Sequence, residues 1–161
     1  MQSLRTTIIT TLSNCLLTLL LLSCSSEGTL LHHFVSLDGE EWAQRDSISF
    51  RIDSVAEGGA YSTTLQFRSN ANYPYRNISI VMRQQVRHSG KSVSKTINYD
   101  IVDSNGKRNG DGLTYKTHEI PFCTMNIQQG DTVDVVIRHN MKDNILPGIA
   151  DVGVLIEQSE D

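Results

Sequence analysis

The sequence predicts an all-β fold, a single antiparallel β-sandwich of the jelly-roll kind, and three observations carry that prediction. Apolar and polar residues alternate with period two along much of the chain, the spacing that lines one face of a strand. Gly, Pro, Asn and Asp gather into turn signals between these stretches. Helical periodicity is weak throughout, and a fully buried parallel sheet would show continuous apolar runs instead of alternation.

Taken in order, the first element is no part of the fold. Residues 1–23 read as an export signal: Arg5 supplies the positive start and Cys15 to Leu22 form a compact apolar run. Thr10, Thr11, Ser13 and Asn14 interrupt the only candidate membrane span, which needs about 20 apolar residues. Leu21-Leu22-Ser23-Cys24 resembles a bacterial lipobox, with Leu22 where Ala, Ser or Thr is commoner. Cleavage before Cys24 and acylation of its thiol, palmitate included, are therefore expected; an uncleaved anchor or a plain secretory signal is the alternative. At about 0.8 kcal/mol per buried methylene, one acyl chain binds reversibly, while two or three hold a protein at the membrane. Ser25-Ser26-Glu27-Gly28-Thr29 is small and polar, so residues 24–29 serve as lipidated tether and the folded domain is expected over residues 30–161. Ser25 is not the Asp that retains some lipoproteins at the inner membrane, which favours the outer membrane; which face is exposed stays open.

The strands follow. Ile48, Phe50 and Ile52 alternate with polar neighbours, as do Leu65 and Phe67, then Ile78, Ile80 and Met82. Val93, Ile97, Tyr99 and Ile101 share one face of a longer strand, Val133, Val135 and Ile137 another, and Val152, Val154 and Ile156 the last. Turn signals separate them at Glu57-Gly58-Gly59, Asn70 to Pro74, Ser89-Gly90-Lys91, Asn105-Gly106 and Gln129-Gly130-Asp131, the spacing of a meander. About eight strands result. Asn140 to Gly148 breaks the alternation: Pro147-Gly148 makes a turn, and a single helical turn is expected just before it.

Composition narrows the function. Without the signal, 161 − 23 = 138 residues remain, enough for one domain with a core. The net charge of −4, one unit more acidic once Arg5 is gone, with no basic stripe, disfavours nucleic acid as a partner. Of three cysteines only Cys123 stays in the domain as a free thiol, so no intramolecular disulfide forms, and a small buried hydrophobe beside Phe122 is expected.

Chemistry-bearing patterns are sparse. The loop from Asp103 to Gly112 carries Lys107 and Arg108 where a calcium loop needs an oxygen ligand and Gly, so it reads as a connection. His32, His33, His88, His118 and His139 lack metal-ligand spacing, and adjacent His32 and His33 would face opposite sides of a strand. Neither G-x-S-x-G nor a Cys with an orienting His is present, so no cofactor, metal or catalytic set is expected. Tyr73-Pro74-Tyr75 lies in a turn and is expected to be exposed for recognition; Arg138-His139 leading to Met141 is the other dense cluster. Tyr73, Tyr75, Arg138, His139 and Met141 are thus the candidate partner-binding residues. A glycan-binding lipoprotein is the rival reading, and a hydrolase the third.

Asn72-Tyr73-Pro74-Tyr75-Arg76-Asn77, the glycine-rich loop ending at Tyr115, and Ile137-Arg138-His139-Asn140-Met141 through Leu146-Pro147-Gly148 to Gly153 together resemble the gliding motility-associated lipoprotein family GldH. Trp42, Asp46 and the lipobox at Cys24 fit the same family, so the resemblance covers nearly the whole mature chain. It implies a non-catalytic envelope lipoprotein held to a membrane through Cys24. Its implied partners are other gliding or type IX secretion envelope proteins, with no small-molecule substrate.

Overall fold

The computed structural model describes residues 28–159; the export signal, Cys24 and residues 25–27 lie outside the described residues. Ten strands follow one another: β1 (Thr29–Ser36), β2 (Glu41–Ala43), β3 (Ile48–Ile52), β4 (Gly59–Ser69), β5 (Asn77–Val86), β6 (Ser92–Asp100), β7 (Lys116–Ile127), β8 (Val133–His139), β9 (Ile145–Pro147) and β10 (Ile149–Gln158). A short 3-10 turn over Asp38–Glu40 is the only helical element among the described residues.

The pairing obeys one rule. β1 pairs with β10, β2 with β9, β3 with β8, β4 with β7 and β5 with β6, all antiparallel. The chain is one long hairpin, closed at the β5–β6 turn and rolled up so that β4 also meets β10 and β5 also meets β8. Rolling gives two four-stranded sheets, β1-β10-β4-β7 and β3-β8-β5-β6, with β2-β9 bridging them. That topology is a jelly roll.

Alternation places the core. Leu65 and Phe67 of β4 and Val152, Val154 and Ile156 of β10 face Ile78, Ile80 and Met82 of β5 and Val133, Val135 and Ile137 of β8. Each fully buried side chain of this kind contributes about 1.5–3 kcal/mol. Trp42 and Leu146 seal the end under β2–β9, where the Trp42 indole N–H donates to the carbonyl of Asp46 at 3.1 Å. No described helix is long and apolar enough to cross a membrane.

Four expectations need correction or refinement. The helical turn before Pro147 is instead strand β9, because pairing Leu146 with Trp42 buries both. The turn signals do not build a meander: Ser89-Gly90-Lys91 closes a hairpin, whereas the other four carry the chain from one sheet to the other. Strand β7 lacks clean alternation, because Pro121 lies within it and a register shift opposite Thr63 and Thr64 moves its inward residues out of phase. Cys123 is only half-buried; burial raises its pKa, and its Sγ lies 3.6 Å from the Gln84 side-chain oxygen. As expected, His32 and His33 face opposite sides, His32 beside Phe34 and His33 against Phe50.

Candidate partner-binding end

Strand direction gives the sandwich two unlike ends. The chain enters at Thr29, and at that end lie the crossings 53–58 and 128–132 and the hairpin turn 87–91. At the opposite end lie residues 37–47, 70–76, 101–115 and 140–148. The three segments on which the family resemblance rests, around Tyr73, Tyr115 and Gly148, therefore meet at the end away from Thr29.

Glu40 is where they meet. Gly39 and Glu40 both have positive φ, +61° and +57°, and Glu40 is the only non-glycine residue in that region among the described residues. Its carbonyl accepts the N–H of Gly148 at 2.9 Å. Its carboxylate accepts the Asn70 side-chain amide and, at 2.5 Å, the Tyr115 hydroxyl. That last bond is the main cause of the raised Tyr115 pKa. Asn70 extends the contact: its N–H donates to the Gly148 carbonyl at 2.9 Å and its side-chain oxygen accepts the Asn72 N–H at 2.8 Å. Arg108 reaches in from the glycine-rich loop and donates to the Asn70 carbonyl at 2.6 Å.

Beneath this layer His118 is buried, stacked on Phe67 with ring centroids 4.5 Å apart. Its Nε2 lies 2.9 Å from the Ser69 hydroxyl, which Arg108 also approaches. Burial, then the positive charges of Arg108 and Lys116, lower its pKa to about 4, so it is neutral near pH 7. Glycines allow the close packing. A Cβ on Gly148, φ +80°, would strike the Tyr73 backbone nitrogen, and one on Gly110 would lie 2.6 Å from the Thr117 carbonyl. Held by these contacts, the loop projects Leu113, which is 99% exposed.

The five residues singled out from the sequence all belong to this end, in different environments. Tyr73 is buried, donates to the Asn77 carbonyl at 2.9 Å, and has a pKa raised by burial and then by Tyr75. Tyr75 is half-buried, packs edge-on to Tyr73 and bonds Asp143 through its hydroxyl. His139 is buried, which lowers its pKa; it packs edge-on to Trp42 at 5.4 Å, and its Nδ1 accepts the Met141 N–H at 3.3 Å. Met141 is half-buried, with its sulfur accepting the Ser79 N–H at 3.3 Å. Arg138 is exposed and lines an open groove of about 690 Å³ with Ala43, Gln44, Arg45, Asn144 and Ile145. Tyr73 and His139 thus shape this end from within, while Arg138 and part of Tyr75 face outward. Sequence reading missed Glu40, Asn70, Arg108 and Leu113; the glycines at 106, 110 and 112 were the available signal, read only as a loop. No group of three or more His, Cys, Asp or Glu residues could hold a metal among the described residues.

Comparison with known proteins identifies relatives that span the whole described domain. The family model described as GldH lipoprotein matches residues 29–156. A gliding motility lipoprotein GldH homolog of Christiangramia forsetii is 25% identical over 89% of this chain and 92% of its own length. The gliding motility lipoprotein GldH of Flavobacterium johnsoniae is 23% identical over 88% and 92%. Among solved structures, Eiger TNF from S. frugiperda matches with a TM-score of 0.42 and 11% identity, covering 84% of this chain and 97% of that one. The match from the first strand to the last shows that this chain belongs to the GldH lipoprotein family.

Proposed function

We propose that the protein is a non-catalytic accessory lipoprotein of the outer membrane, anchored through Cys24, that serves gliding motility and the linked type IX secretion machinery by binding other envelope proteins. The observation that carries this reading is that the segments around Tyr73, Tyr115 and Gly148 lie together at the end of the jelly roll opposite Thr29, in a chain of the GldH lipoprotein family. A lipid on Cys24 leaves that end pointing away from the membrane. Confinement to a membrane raises the effective concentration of neighbours, so a modest contact suffices. Leu113, exposed on a loop pinned by Glu40 and Arg108, is the natural anchor for an apolar pocket on a partner.

The test is complementation of a gene deletion in a gliding relative. Wild-type protein should restore spreading; Cys24→Ala should lose both palmitate labelling and activity. Leu113→Asp should remain lipidated and abundant yet fail to restore movement. Full rescue by Leu113→Asp together with Arg138→Glu would sink the far-end assignment, and continued membrane retention of Cys24→Ala would sink the anchor.

A further inference from the structure

The outer faces of the two four-stranded sheets differ in charge. On β1-β10-β4-β7 the outward positions hold Glu119, Asp151 and Glu157 against one cation, Arg68, which pairs with Asp151 at 2.8 Å. On β3-β8-β5-β6 they hold Arg51, Arg83 and Arg138, with Arg87 just past the end of β5. Asp134 faces out among them, and Asp100 at a corner. A chain of net charge −4 thus gathers arginines on one sheet face.

These arginines differ in what holds them. Arg51 lies 2.5 Å from Asp53 and 3.7 Å from Asp134, and Arg87 lies 2.5 Å from Asp134, so both are committed to carboxylates. Arg83 is exposed and reaches only neutral groups, donating to the Ser92 hydroxyl at 3.3 Å and to the Gln85 side-chain oxygen at 3.2 Å. Arg138 is exposed and has no carboxylate within ion-pair distance among the described residues. Open hollows adjoin both. The one beside Arg83 is about 390 Å³, with Asp134 its single acid, and no acid lines the groove beside Arg138.

Register sets the spacing of the two uncommitted cations. Arg83 pairs with Val136 and Arg138 with Val81, so the arginines are diagonal neighbours across β5 and β8, sharing the site with Val81 and the exposed Val136. Their stems stand ~7–8 Å apart. Alternate side chains of an extended chain stand ~7 Å apart on one face. We propose that this sheet face binds an acidic, extended segment of another protein, whose carboxylates at alternate positions take the guanidinium forks of Arg83 and Arg138. Val81 and Val136 receive the methylene stems of the acidic side chains. An anionic lipid surface fits less well, because it calls for clusters of about 4–8 cations, whereas two suffice for two placed carboxylates. Arg83 lies outside the end that carries Leu113, so this surface and the far-end assignment stand or fall separately.

Fluorescence anisotropy tests the proposal, with the full chain in nonionic detergent and a labelled peptide of alternating glutamate and serine as probe. The peptide should bind, and its counterpart with glutamine in place of glutamate should not. Arg83→Glu and Arg138→Glu should each weaken binding about tenfold with Tm unchanged, since both side chains are exposed. Lys91→Glu, the same reversal at the hairpin turn, should weaken it less than about twofold, as expected of a charge acting only through the general field. Absence of binding overturns the proposal, as does weakening by Lys91→Glu equal to that by Arg83→Glu, which would mark diffuse attraction without a site. Binding of soluble glycerol phosphate at Arg83, with the peptide ignored, overturns it in favour of a lipid headgroup. Each of these failures leaves the Leu113→Asp motility result untouched.

Discussion

The two ends of the jelly roll are built from different materials. At the Thr29 end the crossings are short and closed largely by backbone bonds, as where Val55 and Asp131, and Gly130 and Val55, exchange N–H groups and carbonyls. The side-chain bonds there are fewer and mostly reach main-chain groups: Asp131 accepts the Gln128 N–H, the Tyr61 hydroxyl donates to the Glu57 carbonyl, and Thr132 donates to the Asp53 carbonyl between the two crossings. At the far end the loops are longer, and side chains from distant segments bind one another through Glu40, Asn70 and Arg108. Glu40 adds a backbone conformation that side chains disfavour, which persists only where its surroundings impose it. Short turns need only complete the hairpin. A long-looped end tied by polar side chains from distant segments points to surfaces held in place for contact.

The largest expected effect separates the ends through glycine. Gly148→Ala drives a methyl into the Tyr73 backbone and should cost about 3 kcal/mol in urea unfolding. Gly90→Ala, with φ +68° and open space around it, should cost only about 1 kcal/mol at the other end. Similar costs for the two would erase the distinction.

Acid should act next. Folding holds His118 below its ordinary pKa of 6.5, at about 4, so it favours the neutral ring. The resulting stability is complete above pH 6.5 and is lost as pH falls through 4, on the order of 2 kcal/mol. His118→Gln should flatten that part of the pH dependence in unfolding curves taken between pH 7 and 4, and an unchanged slope would remove His118 from the account.

Smaller still, Glu40→Ala leaves the Asn70 amide and the Tyr115 hydroxyl without their acceptor, at about 1.5 kcal/mol. Faster hydrogen exchange should be confined to residues 37–40, 70–73 and 111–117; loosening that spreads to 53–58 would show that the ends are not independent. Leu113→Asp should shift stability by no more than about 0.5 kcal/mol, since the side chain touches solvent, and should be read out in motility alone.

Period-two alternation and turn chemistry are local properties, so the sequence by itself determined that the chain is strand-rich, which faces of β3, β5, β8 and β10 turn inward, and where the crossings fall. The family segments, too, could be read in one dimension. Register shifts concealed β7, and three-residue β2 and β9 are too short for any periodicity to reveal. Pairing is a property of the rolled chain, and only the tertiary structure decided that β5–β6 closes a single long hairpin. It also buried Tyr73 and His139, left Arg138 and Leu113 outside, and brought Glu40 to Asn70 and Tyr115 across separations that no spacing rule spans. A turn signal says that the chain reverses and is silent on which distant strand it will meet, because that choice is made by the apolar surface buried when the sheets close.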